Sequence, residues 1–477
     1  MDTIQTMQIF EEENVGKPDT CTNNKYSINL KQLEKTITKN IGINVSNPSA
    51  IRNQNKMLAP KDFNPEKSTI WSFKSRGSWA THNGNYRGNW SPYIPRNIIL
   101  GYSNEGDVVL DYFCGSGTTA IECKLLDRNF SGIDINPYAV NLAKSNLNIG
   151  MSESLFFKSD IKVEVGDARN LLNIDDNSID LICAHPPYSD IINYTYNDPN
   201  DLSHLKTDNF LNEMDKVAKE SYRVLKENKY CTILIGDMRQ NKNVLPLGFW
   251  LIEKFINCGF KLQELIIKRQ HNCKTTGFWY KNSINYNFLL LAHEYLLVFK
   301  KETADFNQDS SMDENFQGNN SFKANYVVIK EDISLESKTV WVFDKNGWFN
   351  DAISNLILRY SDNNYLFYEN QSIDINKTQS KKYNLIIALN FNCVKDNLKI
   401  LVESLNENGI LAIICEDHRL KNGFISSAAM EIEKYLRKDK DLKIKEIIVL
   451  ALDDAKHLNE DKFLKINHKY IMVYKKN

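Results

Sequence analysis

Asp111-Tyr112-Phe113-Cys114-Gly115-Ser116-Gly117-Thr118-Thr119 is the stretch on which the reading of this chain turns. It follows the apolar run Val108-Val109-Leu110 and precedes a helix-like segment from Ala120 to Leu126, so it reads as strand, glycine-rich turn and helix. Such a unit predicts an open, mostly parallel α/β sheet with helices on its faces, with a turn able to cradle a nucleotide-like ligand. The glycine spacing departs from G-x-G-x-x-G, and the phosphate-gripping lysine of a P-loop is missing.

Working outward, Asn129-Phe130-Ser131-Gly132-Ile133-Asp134 is a second short strand that ends in a carboxylate. Asp134 is placed to grip a ribose diol, although it could also cap the helix that starts near Pro137, and the two roles are compatible. Val163-Glu164-Val165-Gly166-Asp167-Ala168 closes a third strand, with Asp167 poised for an adenine amino group and Ala168 beside it. A fourth strand, Ile179-Asp180-Leu181-Ile182-Cys183-Ala184, delivers His185-Pro186-Pro187-Tyr188. Ligands of open parallel sheets lie at the carboxyl ends of strands. A Pro-Pro pair there cannot join a hydrogen-bonded ladder, so it sends the chain out of the sheet in a fixed direction. That exit would aim polar groups into a pocket, with Tyr188 able to stack on an extruded base.

These two segments in this order resemble the amino-methylating DNA methyltransferases, which make N6-methyladenine or N4-methylcytosine with S-adenosyl-L-methionine. The similarity runs from about Ile70 to Lys301. It implies a Rossmann-like fold. Asp111, Phe113, Gly115, Gly117 and Thr118 fall on the family's cofactor loop, Asp134 on its ribose-binding acid, and Asp167 with Ala168 on its adenine side. His185, Pro186, Pro187 and Tyr188 fall on its catalytic D/N/S-P-P-Y tetrad. Asn89-Trp90-Ser91-Pro92 resembles the segment that closes over the methionine end, making Trp90 and Pro92 further cofactor candidates.

One departure is chemical. His185 stands where the family places Asp, Asn or Ser, and only a neutral imidazole can accept a hydrogen bond from an amine. An ordinary imidazole pKa of ~6.5 predicts activity that falls below that pH. The histidine also leaves the choice between adenine and cytosine open.

A second signal is a repeat with the period of a whole domain. Ser68-Thr69-Ile70-Trp71-Ser72-Phe73 recurs as Lys338-Thr339-Val340-Trp341-Val342-Phe343, and the stretch from Asn97 to Ser103 recurs from Asn355 to Ser361. Asp237-Met238-Arg239 matches Asp417-His418-Arg419, and His293-Glu294-Tyr295-Leu296-Leu297-Val298-Phe299 matches His468-Lys469-Tyr470-Ile471-Met472-Val473-Tyr474. The second copy has no glycine-rich loop after Tyr368 and no Pro-Pro-Tyr after Ala388-Leu389-Asn390-Phe391. It is expected to be a smaller, degenerate methyltransferase-like domain standing in for a homodimer partner. The predicted layout is an extension over 1 to 60, a catalytic domain over 61 to 301, a polar linker over 302 to 330 and the degenerate domain over 331 to 477. A short helix is expected within the extension, from Leu30 to Ile41.

With 477 residues, the chain exceeds one comfortable core. Its nine cysteines include no CxxC pair, which disfavours both a disulfide framework and a zinc site. No Pro-Cys dipeptide offers a covalent nucleophile, so direct transfer to an exocyclic amine remains. No apolar run is long enough to span a bilayer, and a cytoplasmic protein is expected. The net charge of -1 is unevenly distributed, with cations in excess from Arg239 to Lys281. Lys268, Arg269, Lys274, Trp279 and Lys281, in a predicted loop, are candidates for nucleic-acid contact, as are Arg76, His82, Tyr86 and Arg87. The expected function is site-specific DNA methylation on double-stranded DNA, with base flipping and a restriction-modification setting that includes a cognate endonuclease. The alternatives are an RNA (tRNA or rRNA) base-amine methyltransferase and a non-catalytic nucleic-acid-binding protein.

Overall fold

The computed structural model describes residues 4–5, 57–149, 158–196, 198–271, 274–303, 327–330, 333–368, 381–389, 391–453 and 463–477. The predicted helix at 30 to 41 and most of the predicted linker lie outside the described residues.

The first lobe is an eight-stranded sheet. Its strands are β1 (Ile70–Ser72), β2 (Val108–Asp111), β3 (Asn129–Asp134), β4 (Ile161–Val165), β5 (Ile179–Ala184), β6 (Leu225–Ile235), β9 (Lys261–Arg269) and β10 (His293–Lys300). Between β6 and β9 the chain makes a small hairpin, β7 (Met238–Gln240) and β8 (Asn243–Leu245). The sheet order is β1-β9-β10-β6-β5-β2-β3-β4, and only β10 runs against the rest. Strand β5 shows why the sheet is parallel and covered on both faces: all six of its residues are buried, with no polar-out alternation.

Helices α1 (Tyr93–Tyr102), α2 (Thr118–Leu125), α3 (Pro137–Asn146), α4 (Thr207–Val224) and α5 (Leu247–Asn257) cover those faces. Helix α4 shows the pattern that seats them. Phe210, Leu211, Met214, Val217, Ala218, Ser221 and Val224 recur at helical spacing and are buried, while the opposite face carries charge. At the start of α2, Gly117 has φ 84°, and a Cβ there would come within 3.0 Å of the Ala143 side chain. Glycine lets α2 begin where α3 already stands.

The second lobe contains β11 (Val340–Asp344), β12 (Tyr365–Tyr368), β13 (Tyr383–Ala388), β14 (Leu405–Cys415), β17 (Leu442–Asp453) and β18 (His468–Lys476), with the small pair β15 (His418–Arg419) and β16 (Ile425–Ser426). Its sheet order, β11-β17-β18-β14-β13-β12, with β18 alone reversed, follows the first six strands of the larger sheet position for position. Even the bulges correspond, between Leu262 and Glu264 in β9 and between Ile444 and Glu446 in β17. No described strand corresponds to β3 and β4, which carry Asp134 and lead to Asp167 in the first lobe.

The lobes clasp through reciprocal contacts. Thr69 meets His468 Nδ1 at 2.7 Å, and Thr339 meets His293 Nδ1 at 3.0 Å. Arg419 pairs with Glu264 across the boundary, and Arg239 pairs with Glu446 at the equivalent place. The helix Ala428–Leu436 lies against α5, where the Trp250 indole donates to Glu433 and Arg437 pairs with Glu253. One apolar cluster runs through both lobes, with Phe249 of α5 edge-on to Tyr470 of β18.

Candidate active site

The sequence segments singled out above converge on one cleft, with about 720 Å³ of empty space and open to solvent on one side. Asp111, Phe113 and Gly115 line its floor, Asp134 and Ile135 one flank, and Gly166 to Ala168 the next. Asn89 and Trp90 close over it, and His185 and Pro187 stand at its far wall.

The carboxylates shape this floor. Asp111 is buried, accepts from the Phe113 amide and the Thr119 hydroxyl, and thereby folds the turn back on its own strand. Burial pushes its pKa up to about 7, against those two hydrogen bonds. Asp134 accepts from the Gly115 amide at 2.8 Å and the Asn136 amide at 2.9 Å; the expectation that it caps α3 needs correcting, because Asn136 is the cap and its side chain accepts from the Tyr138 amide. Burial raises the Asp134 pKa to about 6. Each carboxylate oxygen has a second lone pair, which leaves Asp134 able to accept hydroxyls from the cleft. Asp167 is held by the Arg169 guanidinium at 2.6 Å, and Arg169 is held in turn by Glu213.

Gly117, Pro186 and Tyr188 do not line the cleft, and neither do Thr118 and Pro92. The Thr118 hydroxyl donates to the Asn89 side-chain oxygen, while the Asn89 amide donates to Ser116 at 2.8 Å. Pro92 precedes α1. Both act on the cleft through Asn89 and Trp90, which they help to place.

At the far wall the tetrad is tied into a polar chain. His185 Nε2 lies 2.8 Å from the Tyr188 hydroxyl, which donates to Glu294 Oε1 at 2.8 Å, and Glu294 Oε2 receives the Lys268 ammonium at 2.7 Å. Trp90 stacks on the imidazole, with ring centroids 5.4 Å apart and planes 17° from parallel. Gly236 gives the Tyr188 ring its seat, since a Cβ there would come within 2.8 Å of that ring. Ser189, the next residue, has φ 53°, an uncommon backbone for a residue with a side chain. Its hydroxyl is bonded to the Leu205 carbonyl.

Charge orders this chain. Burial raises the Glu294 carboxyl, but Lys268 and His185 outweigh it and hold Glu294 below the usual range. Burial and the neighbouring Glu294 keep the Tyr188 phenol protonated. An ionised carboxylate only accepts, so the single phenol proton goes to Glu294, and the phenol oxygen must accept from His185 Nε2–H. That fixes the neutral tautomer with Nδ1 as the acceptor. Burial pushes the imidazole pKa down to about 4, which corrects the expectation of an ordinary value.

The expected nucleic-acid contacts fare unevenly. The predicted loop is instead the end of β9 followed by helix α6 (Lys274–Asn285). Lys268 is committed to Glu294 inside the site. Arg76 donates to the carbonyls of Asn89 and Trp90, so it braces the closing segment. Arg269 is half-buried at the strand end, while Arg87 and Lys281 are exposed and Trp279 is half-buried. Lys274 lies on α6, and its side chain is outside the described residues. His82 is buried against Glu122. Tyr86 lines the cleft wall, which is completed by Tyr194 and Asp201, two residues that sequence reading missed. Two of these rings stack at 6.2 Å, and Asp201 is buried with its carboxylate receiving Thr195 and Ser203 amides. None carries a motif, because all three reach the cleft from loops.

Sheet order, glycine-rich turn and cleft define the first lobe as a Rossmann-like methyltransferase fold. Residues 103–275 match a family described as a methyltransferase domain, and residues 8–145 match the DNA methylase family. The chain is 37% identical over 100 residues to the type II methyltransferase M2.LlaDCHI of Lactococcus lactis subsp. cremoris, covering 20% of this chain and 36% of that protein. It is 40% identical over 82 residues to M.HpaI of Haemophilus parainfluenzae (17% and 26% of the two chains). It is 57% identical over 51 residues to M1.MboII of Moraxella bovis (11% and 20%). The chain thus spans about a third or less of the length of these relatives. A solved S-adenosylmethionine-dependent methyltransferase from Methanosarcina mazei aligns with 43% of this chain and 97% of its own, at 18% identity and a TM-score of 0.30. The chain thus resembles the DNA methylase family over 8–145 and a methyltransferase domain over 103–275.

Proposed function

We propose that the protein methylates the exocyclic amine of a base, adenine N6 or cytosine N4, at specific sites in double-stranded DNA. The observation that carries this reading is that His185 and Pro187 share one cleft with the glycine-rich turn, so a methyl donor and a base amine would meet there. The donor set suits S-adenosyl-L-methionine. Asp134 has spare lone pairs for a ribose diol, Ala168 and Phe113 offer apolar contact to an adenine ring, and Trp90 with Asn89 covers the far end.

The sulfonium supplies an electrophilic methyl group. The rest falls to this chain, because a base amine is a weak nucleophile whose lone pair is delocalised into the ring. His185 Nδ1 and the Pro186 carbonyl accept the two amine hydrogens, which favours a pyramidal nitrogen with its lone pair directed at the methyl carbon. As the new N–C bond forms and the S–C bond breaks, the excess proton can pass to the imidazole or to water. Tyr188, with its hydroxyl held by Glu294, orients His185 and offers its ring edge and face to the extruded base. Catalysis rests on position and exclusion of water rather than on a strong base.

The second lobe is read as a degenerate copy of the first, serving as its internal partner. The reciprocal contacts Thr69 to His468 and Thr339 to His293 support that reading.

Labelled methyl transfer to mixed-sequence duplex DNA and to total RNA, followed by nucleoside mass spectrometry, tests the function. A methyladenine or N4-methylcytosine peak in DNA that vanishes with Tyr188→Ala is expected, and label confined to RNA would replace DNA as the substrate. The pH profile gives a second check. A group with a lowered folded pKa of about 4 is neutral, and so competent as an acceptor, at every pH well above that value. Single-turnover rates are therefore expected to stay level through pH 5.5 to 8, near the ordinary imidazole pKa of ~6.5. A tenfold loss as pH falls across that window would show that His185 titrates as an ordinary imidazole and is not held neutral by its burial.

A further inference from the structure

Away from the cleft, the tip of the β7–β8 hairpin faces the edge of the second lobe where β17 begins and β18 ends, and the three together enclose a polar cavity. Lys242, Lys443, Lys445, Lys475 and Lys476 line it, together with Asn477, and no Asp or Glu side chain does. Two features set this apart from a solvated basic edge. Lys443 and Lys475 are direct cross-strand partners, and like charges placed opposite each other on a sheet destabilise it. Lys445 is the extra residue of the β17 bulge, a device that re-aims a side chain. It is only 9% exposed, and its ammonium has no hydrogen-bond partner among the described residues.

The internal correspondence sharpens the point. The residue equivalent to Lys445 in β9 is Gln263, whose amide is satisfied by the Gly423 carbonyl of the opposing hairpin. Where the first lobe closes this corner with a neutral amide, the second leaves a buried cation facing a cavity. Glu446 next to it is already taken by Arg239 and the Leu289 amide. Burial pushes the Lys445 ammonium pKa down to about 8, with Arg239, Lys475 and Arg359 adding to that and Glu446 opposing. The hairpin side chains Asn241 and Asn243 also line the cavity and can donate to an oxyanion.

We infer that this cavity is a phosphate-binding site, with Lys445, Lys443, Lys475 and Lys242 converging on a phosphoryl oxyanion. Lysines suit such a ligand as compact point charges with three donors each. The phosphoryl group could come from a backbone phosphodiester of the nucleic acid or from a free polyphosphate. The DNA source rests on the function proposed above, whereas the free source does not.

Two titrations of the full-length protein separate these cases: inorganic pyrophosphate by calorimetry, and a non-specific DNA duplex by fluorescence anisotropy across a salt series. Each is run on wild type, on Lys445→Met, and on Lys443→Gln/Lys475→Gln, whose exposed and half-buried positions spare the core. S-adenosylmethionine affinity, read in parallel, is expected to be equal in all three. If the site holds backbone phosphate, the double variant loses about 2 from the slope of log K against log salt, which is about 30-fold in affinity at ~0.15 M salt. If it holds a free phosphoryl ligand, pyrophosphate binding is lost in both variants while DNA binding is retained. Variants that match wild type in both titrations would overturn the site. Wild-type protein that binds the cofactor but no DNA would count against the proposed function while leaving the pyrophosphate titration to judge the cavity.

Discussion

His185→Ala is expected to bind S-adenosylmethionine as tightly as the parent and to transfer methyl about a hundredfold more slowly or worse, the scale on which a positioned proton acceptor acts. The imidazole stands at the wall of the cleft rather than in the turn that would hold the cofactor, so kcat rather than cofactor affinity should carry the loss. His185→Asn, which restores the family's usual residue, should recover part of the rate because its carbonyl can still accept an amine hydrogen. Glu294→Gln completes the series. A glutamine amide can donate to Tyr188, which frees the phenol proton for His185 Nε2 and leaves the opposite tautomer, with no acceptor at Nδ1. The rate should then fall although His185 and Tyr188 are both present. Equal rates for parent, His185→Ala and Glu294→Gln in single-turnover methylation would show that the chain of hydrogen bonds at the tetrad is structural only.

The second large effect concerns the lobes. Arg239→Met is expected to destabilise the whole protein by about 3–5 kcal/mol, because it strands the Glu446 carboxylate without its counter-ion. Both side chains are almost wholly buried, at 2% and 0% exposure, so solvent offers little relief. Arg239 also donates to the carbonyls of Leu289, Lys242 and Lys445, which join the hairpin to both sheets. Removing both charges with Arg239→Met/Glu446→Leu should recover the part of the loss that comes from the stranded carboxylate, while the carbonyls that Arg239 served and the Leu289 amide that Glu446 received stay unpaired. Chemical denaturation of the three proteins measures this. A single variant as stable as the parent, or a double variant no better than the single, would mean that the lobes are held by apolar contact alone. The internal repeat makes a matched experiment available at Arg419 and Glu264. There the arginine side chain is 18% exposed, so a smaller loss is expected.

Much of the first lobe is legible in the chain because its signals are local. A buried parallel strand such as β5 is an apolar run broken only by Asp180, a turn that must bend into a helix needs glycine at Gly115 and Gly117, and a Pro-Pro pair has few places to go. The repeat is legible for the same reason, since alignment of Asp237-Met238-Arg239 with Asp417-His418-Arg419 requires no knowledge of contacts. What these residues do could not be read this way. Arg239 looks like part of a basic stretch and is a buried ion-pair partner across the lobe boundary. Lys268 looks like a phosphate contact and is the counter-ion of Glu294. Both sit on strands whose neighbours come from tens to hundreds of residues away, so their partners have no trace in local sequence.

By itself, then, the sequence determined the class of sheet, the order of the cofactor turn and the tetrad, and a repeat of several segments without either of them. Each follows from periodicity, glycine and proline constraints, or direct repetition, all of which act over a few residues. The tertiary structure alone decided how His185 is held. Burial sets its charge, and a hydrogen-bonded chain through Tyr188, Glu294 and Lys268 sets its tautomer, because dielectric environment and donor-acceptor pairing depend on what packs around a side chain rather than on what precedes it.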